Sequence, residues 1–555
     1  MFHRKLLPFA FIAFGPAAAL AQTPTAGSQI QQIPATPVLP KAAPDIRIDA
    51  GRPASAESAD SMKIVVNNVR VTGARAYSEA ALVALTGFKP GAEMSMAGLQ
   101  RMANMIAERY RSDGYLLAQA YLPTQDIKNG VVTIAVLEGQ YGKISFRNQS
   151  NVPNSMLASQ VDTLRGGDVV LRPPLESGLL LLSDLPGVTI KSTLVPGASV
   201  GSADLIIDVT PGRRVTGSID ADNAGNRYTG QNRLGATVNV NELLGLGDVA
   251  SLRVLSSGKG LDYARASYQI QVGKARAGMA YSKLNYELGK EFAPLRAHGT
   301  ASIASVFASY PLIRSRNENL FAQLAFDTKK FHDKIDLTGT ASDKKTNVLM
   351  ASLYGDRRDQ IGGAGANAFS LTVSSGELEI RTPEVLAIDA LTARSNGHYN
   401  KLAYSISRVQ RVTDTVSLSA ALNGQIASKN LDVSEKMELG GMNAVRAYPE
   451  GEAYADQGNV LSLEARLLLP KLSAHQPGQL QLVGFADTGR VTRERDPWIA
   501  GPNSRTLSGA GVGLVWSEGS NFMVRTYYAR KLGSEMATSA PDKSGRFWIQ
   551  AVKYL

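Results

Sequence analysis

The stretch KLNYEL, residues 283–288, alternates polar and apolar side chains one by one. A period of two is the pattern of a half-buried β-strand. One face of this strand is apolar and the other polar; the apolar members are Leu284, Tyr286 and Leu288, and the polar members are Lys283, Asn285 and Glu287. The alternation recurs in YQIQV (268–272) and FMVRTYYARK (522–531). Strand patterns separated by Gly, Asn, Asp and Ser dominate residues 213–555, where no segment has a convincing helical period.

Two architectures fit this alternation. In a soluble β-sandwich the apolar faces form the core, whereas in a membrane barrel they meet lipid and the polar faces line a wet lumen. Residues 213–555 are too many for one sandwich, and a closed barrel pairs every backbone polar group, as lipid requires. At roughly 20 residues per strand and connection, the segment predicts a barrel with strands in the mid-teens.

The N-terminus indicates export from the cytoplasm. A basic start, MFHRK, precedes the short apolar stretch LLPFAFIAFGPAAAL and the small-residue pattern Ala19-Leu20-Ala21, which predicts a signal peptide over 1–21. An N-terminal membrane anchor is the alternative, but the apolar stretch is short and broken by two prolines and a glycine. The chain has no cysteine, so an exported protein of this length is stabilised without disulfides.

Composition argues against several classes of protein. After the N-terminus no run of 18 or more apolar residues occurs, so no transmembrane helix is predicted. The formal net charge is +11, but the 59 basic residues are dispersed among 48 acidic ones. Nucleic-acid binders concentrate their basic residues in tracts with interleaved aromatics. We therefore expect no nucleic-acid partner.

Between the N-terminus and the barrel, the order of predicted elements repeats once. Residues 63–140 and 141–212 each follow the order β-α-α-β-β, which predicts two small α+β domains. In the first, Ser78 is placed as a helix N-cap and Gly87 as a stop, and a second helix is predicted over roughly 95–112. Residues 22–62 are rich in Pro, Ala, Gln and Ser and predict a flexible linker that is also a candidate for plugging the pore. A short helix around 28–33 is a weaker alternative there.

Four motifs on this architecture resemble those of one family. VRAY at Val445–Tyr448 resembles the VRGY/F signature of two-partner secretion transporters, and GFADTGRV matches their F-x-D-x-G motif at Phe485, Asp487 and Gly489. Residues 114–139 resemble the end of the first POTRA domain of that family, and GLGD at 245–248 is similar to a turn early in its barrel. Each motif is weak alone, but the four in this order are fairly specific.

The resemblance implies a mainly β fold: a transmembrane antiparallel barrel of 16 strands in the outer membrane, preceded by two periplasmic POTRA domains. It implies that the sixth extracellular loop folds back into the lumen, where Arg446 at its tip meets Asp487 on the barrel wall. The implied partner is a large secreted exoprotein, haemolysin-like or adhesin-like, which a monomeric transporter exports in contact with outer-membrane lipid. The stretch GGMNAVRAYPEGEAYADQG (440–458) is then a loop facing the interior of its own pore.

Two positions depart from the family pattern. The third residue of the signature is usually Gly and here is Ala447, which predicts a negative φ at the loop tip because a positive φ would strain Ala. The chain ends in Leu555, where outer-membrane barrels generally end in an aromatic residue.

The sequence indicates no enzyme, cofactor or metal site. No Walker-type loop occurs, and the five histidines lack metal-ligand spacing. Three alternatives to the transporter remain. A barrel-assembly factor of the same superfamily typically carries more POTRA units, a diffusion porin needs none, and a secreted β-sandwich adhesin would not stay in the membrane.

Overall fold

A computed structural model describes residues 23–37, 45–48 and 63–555. The predicted signal peptide over 1–21 lies outside the described residues. Within residues 22–62, which we predicted to be a linker, the structure has a short helix and a short strand. These are α1 (Ala26–Gln31) and β1 (Asp45–Ile48).

The first α+β unit is built around two small sheets and two helices. Its elements are β2 (Lys63–Val66), β3 (Asn68–Thr72), α2 (Glu79–Leu85), β4 (Ala92–Ser95), α3 (Met96–Ser112), β5 (Gln119–Tyr121) and β6 (Val131–Leu137). The structure differs from the predicted order in two ways: the first predicted strand is divided into β2 and β3, and β4 is an addition between the helices. Ser78 caps α2 as predicted, accepting a hydrogen bond from the amide of Ala81, and Gly87 follows the helix with φ +68°. The apolar stripe of α3 is buried against β3 and β6, so helical spacing predicted this core correctly.

The second unit has the predicted order. Its elements are β7 (Gln140–Asn148), α4 (Asn154–Gln160), α5 (Arg172–Asp184), β8 (Val188–Pro196) and β9 (Ser202–Pro211). Its sheet has the order β1-β8-β9-β7, so β1 from the N-terminal segment pairs in parallel with β8 at the edge. The leucines of α5 cover one face of that sheet.

Sixteen antiparallel strands then form a closed barrel, as predicted. They are β10 (Val215–Asp222), β11 (Arg233–Asn241), β12 (Val249–Ser256), β13 (Leu261–Val272), β14 (Ala275–Glu287), β15 (Ala297–Arg314), β16 (Glu318–Ile335), β17 (Thr340–Asp359), β18 (Gly365–Ile380), β19 (Gly397–Arg411), β20 (Val416–Ala427), β21 (Gln457–Leu468), β22 (Gln479–Thr492), β23 (Ser504–Glu518), β24 (Phe522–Lys531) and β25 (Gly545–Tyr554). Pairing of β25 with β10 closes the barrel. We call the end that carries the α+β units proximal and the other end distal.

Alternation along the strands separates an apolar outer surface from a polar lumen over most of the barrel. Met279, Val306, Phe326 and Leu349 are neighbours in one row across four strands and are 62%, 54%, 42% and 48% exposed on the outer surface. The KLNYEL stretch at the distal end of β14 departs from this rule. Its apolar side chains, which we expected to meet lipid, point into the lumen and pack on α1. They are inverted because a plug helix gives that part of the lumen an apolar core.

A helix also interrupts the region where no helical period was found. This helix, α6 (Pro383–Leu391), lies in the distal connection between β18 and β19. Its sequence PEVLAIDAL is apolar on nearly every side, so it has no amphipathic period to detect, although Pro383 at its first turn is a typical helix start. Among the described residues, no helix is both long and apolar enough to cross a membrane.

The second α+β unit is seated on the proximal turns of the barrel mainly by polar contacts. Arg314 forms two hydrogen bonds with the carboxylate of Asp184, at 2.8 and 2.9 Å, and Lys274 pairs with Asp162. Gln160 donates to the carbonyl of Gly273 at 2.7 Å. Ion pairs at a surface are individually weak, so this joint is held by several modest contacts rather than by a large apolar interface.

One carboxyl group at this joint is buried in an unfavourable setting. Glu242, in the turn after β11, has φ +54° and is 9% exposed, and its side chain lies against Gly187 of the second unit. Burial, together with the nearby Asp248 carboxylate, raises the pKa of Glu242 from its ordinary value of 4.5 to about 7. The joint therefore carries a group whose charge changes near neutral pH.

We expect the joint to loosen as pH rises. Because the pKa of Glu242 is higher in the folded state, the folded protein binds more protons between pH 4.5 and 7, and the joint loses about 1–3 kcal/mol across that window. Spin labels at Thr163→Cys and Ile361→Cys should give a narrow distance distribution at pH 5.5 and a broader one at pH 8. Glu242→Gln cannot ionise and should keep the distribution narrow at both values. A pH response that persists in Glu242→Gln would assign the effect to another group.

Candidate functional site: the lumen and its folded-back loop

The sixth distal connection, residues 428–456, folds back into the lumen; we call it loop 6. Its tip carries the VRAY motif, and Val445, Ala447 and Tyr448 are completely buried. A tight turn shapes the tip, in which Tyr448 donates its amide proton to the carbonyl of Val445 at 3.0 Å. The Tyr448 hydroxyl reaches the last distal connection and donates to the carbonyl of Glu535 at 3.0 Å. A loop with this burial is part of the barrel's interior.

Arg446 is the most heavily bonded side chain of the tip. Its Nε and Nη2 atoms donate to the two carboxylate oxygens of Asp487 on β22, at 2.8 and 2.7 Å. The Arg446 amide donates to the same carboxylate at 3.1 Å. Glu464 on β21 accepts from Nη1 at 2.7 Å, and Ser462 accepts from Nη2 at 3.0 Å. A planar guanidinium suits this two-pronged binding, which fixes direction as well as distance.

Aromatic side chains of the wall enclose the same guanidinium. The Arg446 guanidinium carbon lies 3.5 Å from the ring centroid of Phe485 and 5.0 Å from that of Tyr527 on β24. The indole of Trp548 on β25 donates to the Arg446 carbonyl at 2.7 Å. Phe485 thus supplies a cation–π face, and the residue is held by four barrel strands.

The small residues of the two motifs make room for the loop. A Cβ added at Gly489 would lie 2.3 Å from Leu439 of loop 6, and one added at Gly509 on β23 would lie 2.4 Å from the Cβ of Ala447. Ala447 does not have a positive φ, as its identity predicted. The extra methyl group of Ala447 is therefore accommodated by a glycine on the facing strand.

A second anchor was missed from the sequence. Glu452 is fully buried and accepts bonds from Arg505 on β23 and from Thr538 and Ser539 in the distal connection 532–544. The Thr538 and Ser539 amides each lie 2.9 Å from its carboxylate. Glu452 was visible only as one of the carboxylates in a Gly-rich loop, and nothing in the sequence pointed to its partners on β23 and beyond.

Lysines of the opposite wall bind the start of loop 6. Lys329 and Lys401 each lie 2.7 Å from the carboxylate of Glu435, and Lys344 lies 2.6 Å from that of Asp432. Loop 6 is therefore bound on both sides of the lumen by charged contacts.

Helix α1 fills the space that loop 6 leaves beside β13–β16. Its first amide, at Ala26, donates to Asp333 on β16 at 2.8 Å, and Gln31 donates to the Val433 carbonyl of loop 6 at 2.8 Å. Arg233 on β11 donates to the carbonyl of Gln32 at 2.7 Å. A Cβ added at Gly27 would lie 2.9 Å from that of Ser434, so the helix and the loop touch directly. The two segments form one plug.

Removing the plug is expected to open a water-filled channel. A barrel of sixteen strands has a lumen wide enough to conduct when it is empty. Deleting residues 23–37 should raise planar-bilayer conductance several-fold, and deleting 442–456 in addition should raise it further. Deleting 471–475, an exposed stretch of the proximal connection between β21 and β22, is the control for shortening a connection that does not touch the plug. Unchanged conductance after both deletions would place the barrier elsewhere.

The family follows from comparison with known proteins. The model of the haemolysin secretion/activation protein family, ShlB/FhaC/HecB, matches residues 201–515, which is more than half of the chain, and the ShlB-type POTRA domain model matches residues 64–139. The chain belongs to the ShlB/FhaC/HecB family. It is an outer-membrane transporter of the two-partner secretion type, with its POTRA units in the periplasm. The proximal end of the barrel is thus periplasmic and the distal end extracellular.

Similar proteins agree with this assignment. The heme/hemopexin transporter protein HuxB of Haemophilus influenzae is 30% identical over 83% of this chain and 82% of its own length. The outer membrane transporter CdiB of Escherichia coli O6:K15:H31 is 23% identical over 82% of this chain and 76% of its own. Among solved structures, CdiB from Escherichia coli covers 91% of this chain and 93% of its own, with a TM-score of 0.67 and 20% identity. This last likeness shows the fold.

Proposed function

We propose that this transporter captures its partner exoprotein at the first POTRA unit and passes it through the lumen after loop 6 and α1 have been displaced. The observation that carries the proposal is the plug itself. Loop 6 and α1 occupy the lumen, where apolar packing and charged or polar contacts with Asp487, Lys329 and Asp333 of the wall hold them. These contacts hold a defined closed state and are exchangeable for water or for a passing chain.

The residues of the two motifs act in this proposal as a latch. Arg446 is the moving part, and Asp487 and Phe485 on β22 are the fixed part. Val445 and Tyr448 shape the tip, and Ala447 and Gly489 provide the close fit. Export then proceeds without nucleotide hydrolysis, because the chain carries no Walker-type loop. We propose accordingly that it has no catalytic, cofactor or metal site of its own and works as a monomer.

The partner is proposed to be a large exoprotein whose N-terminal part is extended or β-rich. Edge strands bind such segments through backbone hydrogen bonds, which select conformation more than sequence. HuxB is named for heme and hemopexin, so a heme- or hemopexin-binding exoprotein joins haemolysin-like and adhesin-like proteins as a candidate class.

Secretion is the test. The chain should be produced in a host without its own two-partner system, together with a candidate large exoprotein from the same organism. The exoprotein should appear in the medium only when the transporter is present, without loss of other outer-membrane barrels when the transporter is removed. Exoprotein that is secreted equally without the transporter would contradict the proposal, and a general loss of other barrels would favour a barrel-assembly role.

A further inference from the structure

Three lysines stand in one row across four neighbouring strands of the barrel. Lys283 on β14 is the cross-strand neighbour of Ser302 on β15, Ser302 is the neighbour of Lys330 on β16, and Lys330 is the neighbour of Lys345 on β17. Side chains alternate between the two faces of a strand, and each residue of the row is an even number of positions from an outward-facing residue of its strand (Met279, Val306, Phe326 or Leu349). The row therefore lies on the outer surface. None of it takes part in the plug or the latch.

The row stands just beyond the apolar belt, on the extracellular side. On the outer face of each strand, the lysine lies four residues from the last aliphatic or phenyl side chain, on its extracellular side. The pairs are Met279 with Lys283, Phe326 with Lys330, and Leu349 with Lys345. Four residues of a tilted strand rise about 10 Å along the barrel axis. Polar headgroups occupy roughly the outer 5–8 Å of each leaflet, and a lysine stem can snorkel to that depth. The ammonium groups therefore reach the headgroup layer of the outer leaflet.

The carboxylates nearest to these lysines on the outer face, those of Glu379 and Asp343, are already bonded to Arg381 and His332. Across residues 23–37, 45–48 and 63–555, none of the three has an ion-pair partner within 4 Å. Glu379 lies opposite Lys345, but its carboxylate already bonds Arg381 at 2.9 Å. Like charges placed directly opposite on neighbouring strands, as Lys330 and Lys345 are, destabilise a sheet. Such a row is stabilised when an anion from outside joins it.

We propose that Lys283, Lys330 and Lys345 bind the phosphate-bearing headgroup of an outer-leaflet lipid. An ammonium group binds phosphate as a point charge, and a row along several strands suits a headgroup that carries more than one phosphate. The bound lipid joins β14–β17 from outside. On their inner face, the same strands hold α1 through Asp333 and through the apolar side chains of KLNYEL.

Lipid binding to the full-length protein in detergent tests this directly. The probes are lipopolysaccharide with its phosphates, the same lipopolysaccharide after dephosphorylation, and inorganic phosphate alone, each titrated and read by native mass spectrometry or by fluorescence. The variant is Lys283→Gln with Lys330→Gln and Lys345→Gln. The matched control is Lys259→Gln with Lys471→Gln and Lys543→Gln, which removes the same charge from exposed connections elsewhere.

We expect the triple row variant to bind phosphorylated lipopolysaccharide about 100-fold more weakly, since each lysine near an anionic headgroup contributes on the order of a fivefold gain. The control variant should bind phosphorylated lipopolysaccharide as tightly as the unaltered protein does. Dephosphorylated lipopolysaccharide should bind weakly to the unaltered protein and to both variants. Heat-modifiability on gels establishes that each barrel is folded, and Lys330→Gln with Lys345→Gln replaces the triple variant if it fails to assemble. Equal binding by row variant and control, or equal binding of the two lipids, would overturn the proposal. Saturation of the row by inorganic phosphate at the same concentrations would make it a site for free phosphate instead.

Discussion

Arg446→Ala is expected to lower secretion of the partner at least tenfold while the barrel still assembles. The substitution leaves the carboxylate of Asp487 buried against the wall without its counter-charge, a change that costs roughly 3–5 kcal/mol in comparable buried pairs. Loop 6 then loses its defined position, and the closed state from which each transport cycle starts is no longer unique. Partner protein in the medium, normalised to transporter in the outer membrane, is the measurement.

The same experiment has an internal control and a test of coupling. Arg466 also binds Glu464, at 2.6 Å, but its side chain is 36% exposed, so Arg466→Ala should leave secretion within about twofold. Asp487→Ala should match Arg446→Ala, and the double variant should be little worse than either, because the two residues act as one unit. Exchanging them, Arg446→Asp with Asp487→Arg, should restore only part of the activity, since the forked geometry is lost. If the two single losses multiply, the residues act separately, and Arg446 contacts the passing chain.

Removal of the first POTRA unit, residues 63–140, is expected to abolish secretion. In the second unit the β8 edge is already occupied by β1 from the same chain. In the first unit β5 ends its sheet, and Tyr121 on this strand is 40% exposed. An open edge with an exposed aromatic residue is suited to binding an incoming strand. Partner protein in the medium is again the measurement. Heat-modifiability of the truncated protein shows that its barrel is folded.

A single substitution on the β5 edge tests partner binding without removing the first POTRA unit. Tyr121→Lys places a charge on the β5 edge and should reduce secretion severalfold, because charged edges resist strand addition. Arg47→Ala alters an exposed position on β1, in the second unit, and serves as the matched control. Normal secretion by the protein lacking 63–140 would show that the partner is captured elsewhere.

The barrel was predictable because its signal is repeated many times. The strands are between 8 and 20 residues long, and lipid leaves the chain few other ways to satisfy its backbone. Helix α1 was not predictable with the same certainty. It has six residues in a Pro- and Ala-rich segment, too short to be stable alone, and it is held by distant residues such as Asp333 and Val433. The inverted face of KLNYEL follows from the same contact, since only the position of α1 makes that part of the lumen apolar.

The residues of the latch also fall into those that the sequence predicted and those that it did not. Arg446 and Asp487 were found through motifs that resemble a family, since neither residue differs locally from other charged residues of a lumen. Glu464, Tyr527 and the partners of Glu452 come from strands or connections that no motif marks, and only the register of the closed barrel brings them to loop 6. Sequence patterns predict which face a residue occupies, and tertiary closure decides which residues meet across the lumen.

The central claim is that the partner travels through the lumen of this barrel, and cross-linking tests it most directly. The chain has no cysteine, so a single cysteine can be placed at Ser370→Cys, facing the lumen, or at Leu371→Cys, the next residue of β18, which is 40% exposed on the outer surface. A partner carrying one cysteine and stalled by a folded domain at its C-terminus should form a disulfide with position 370 and not with position 371. Cross-links that form equally at both positions, or only at 371, would contradict passage through the lumen.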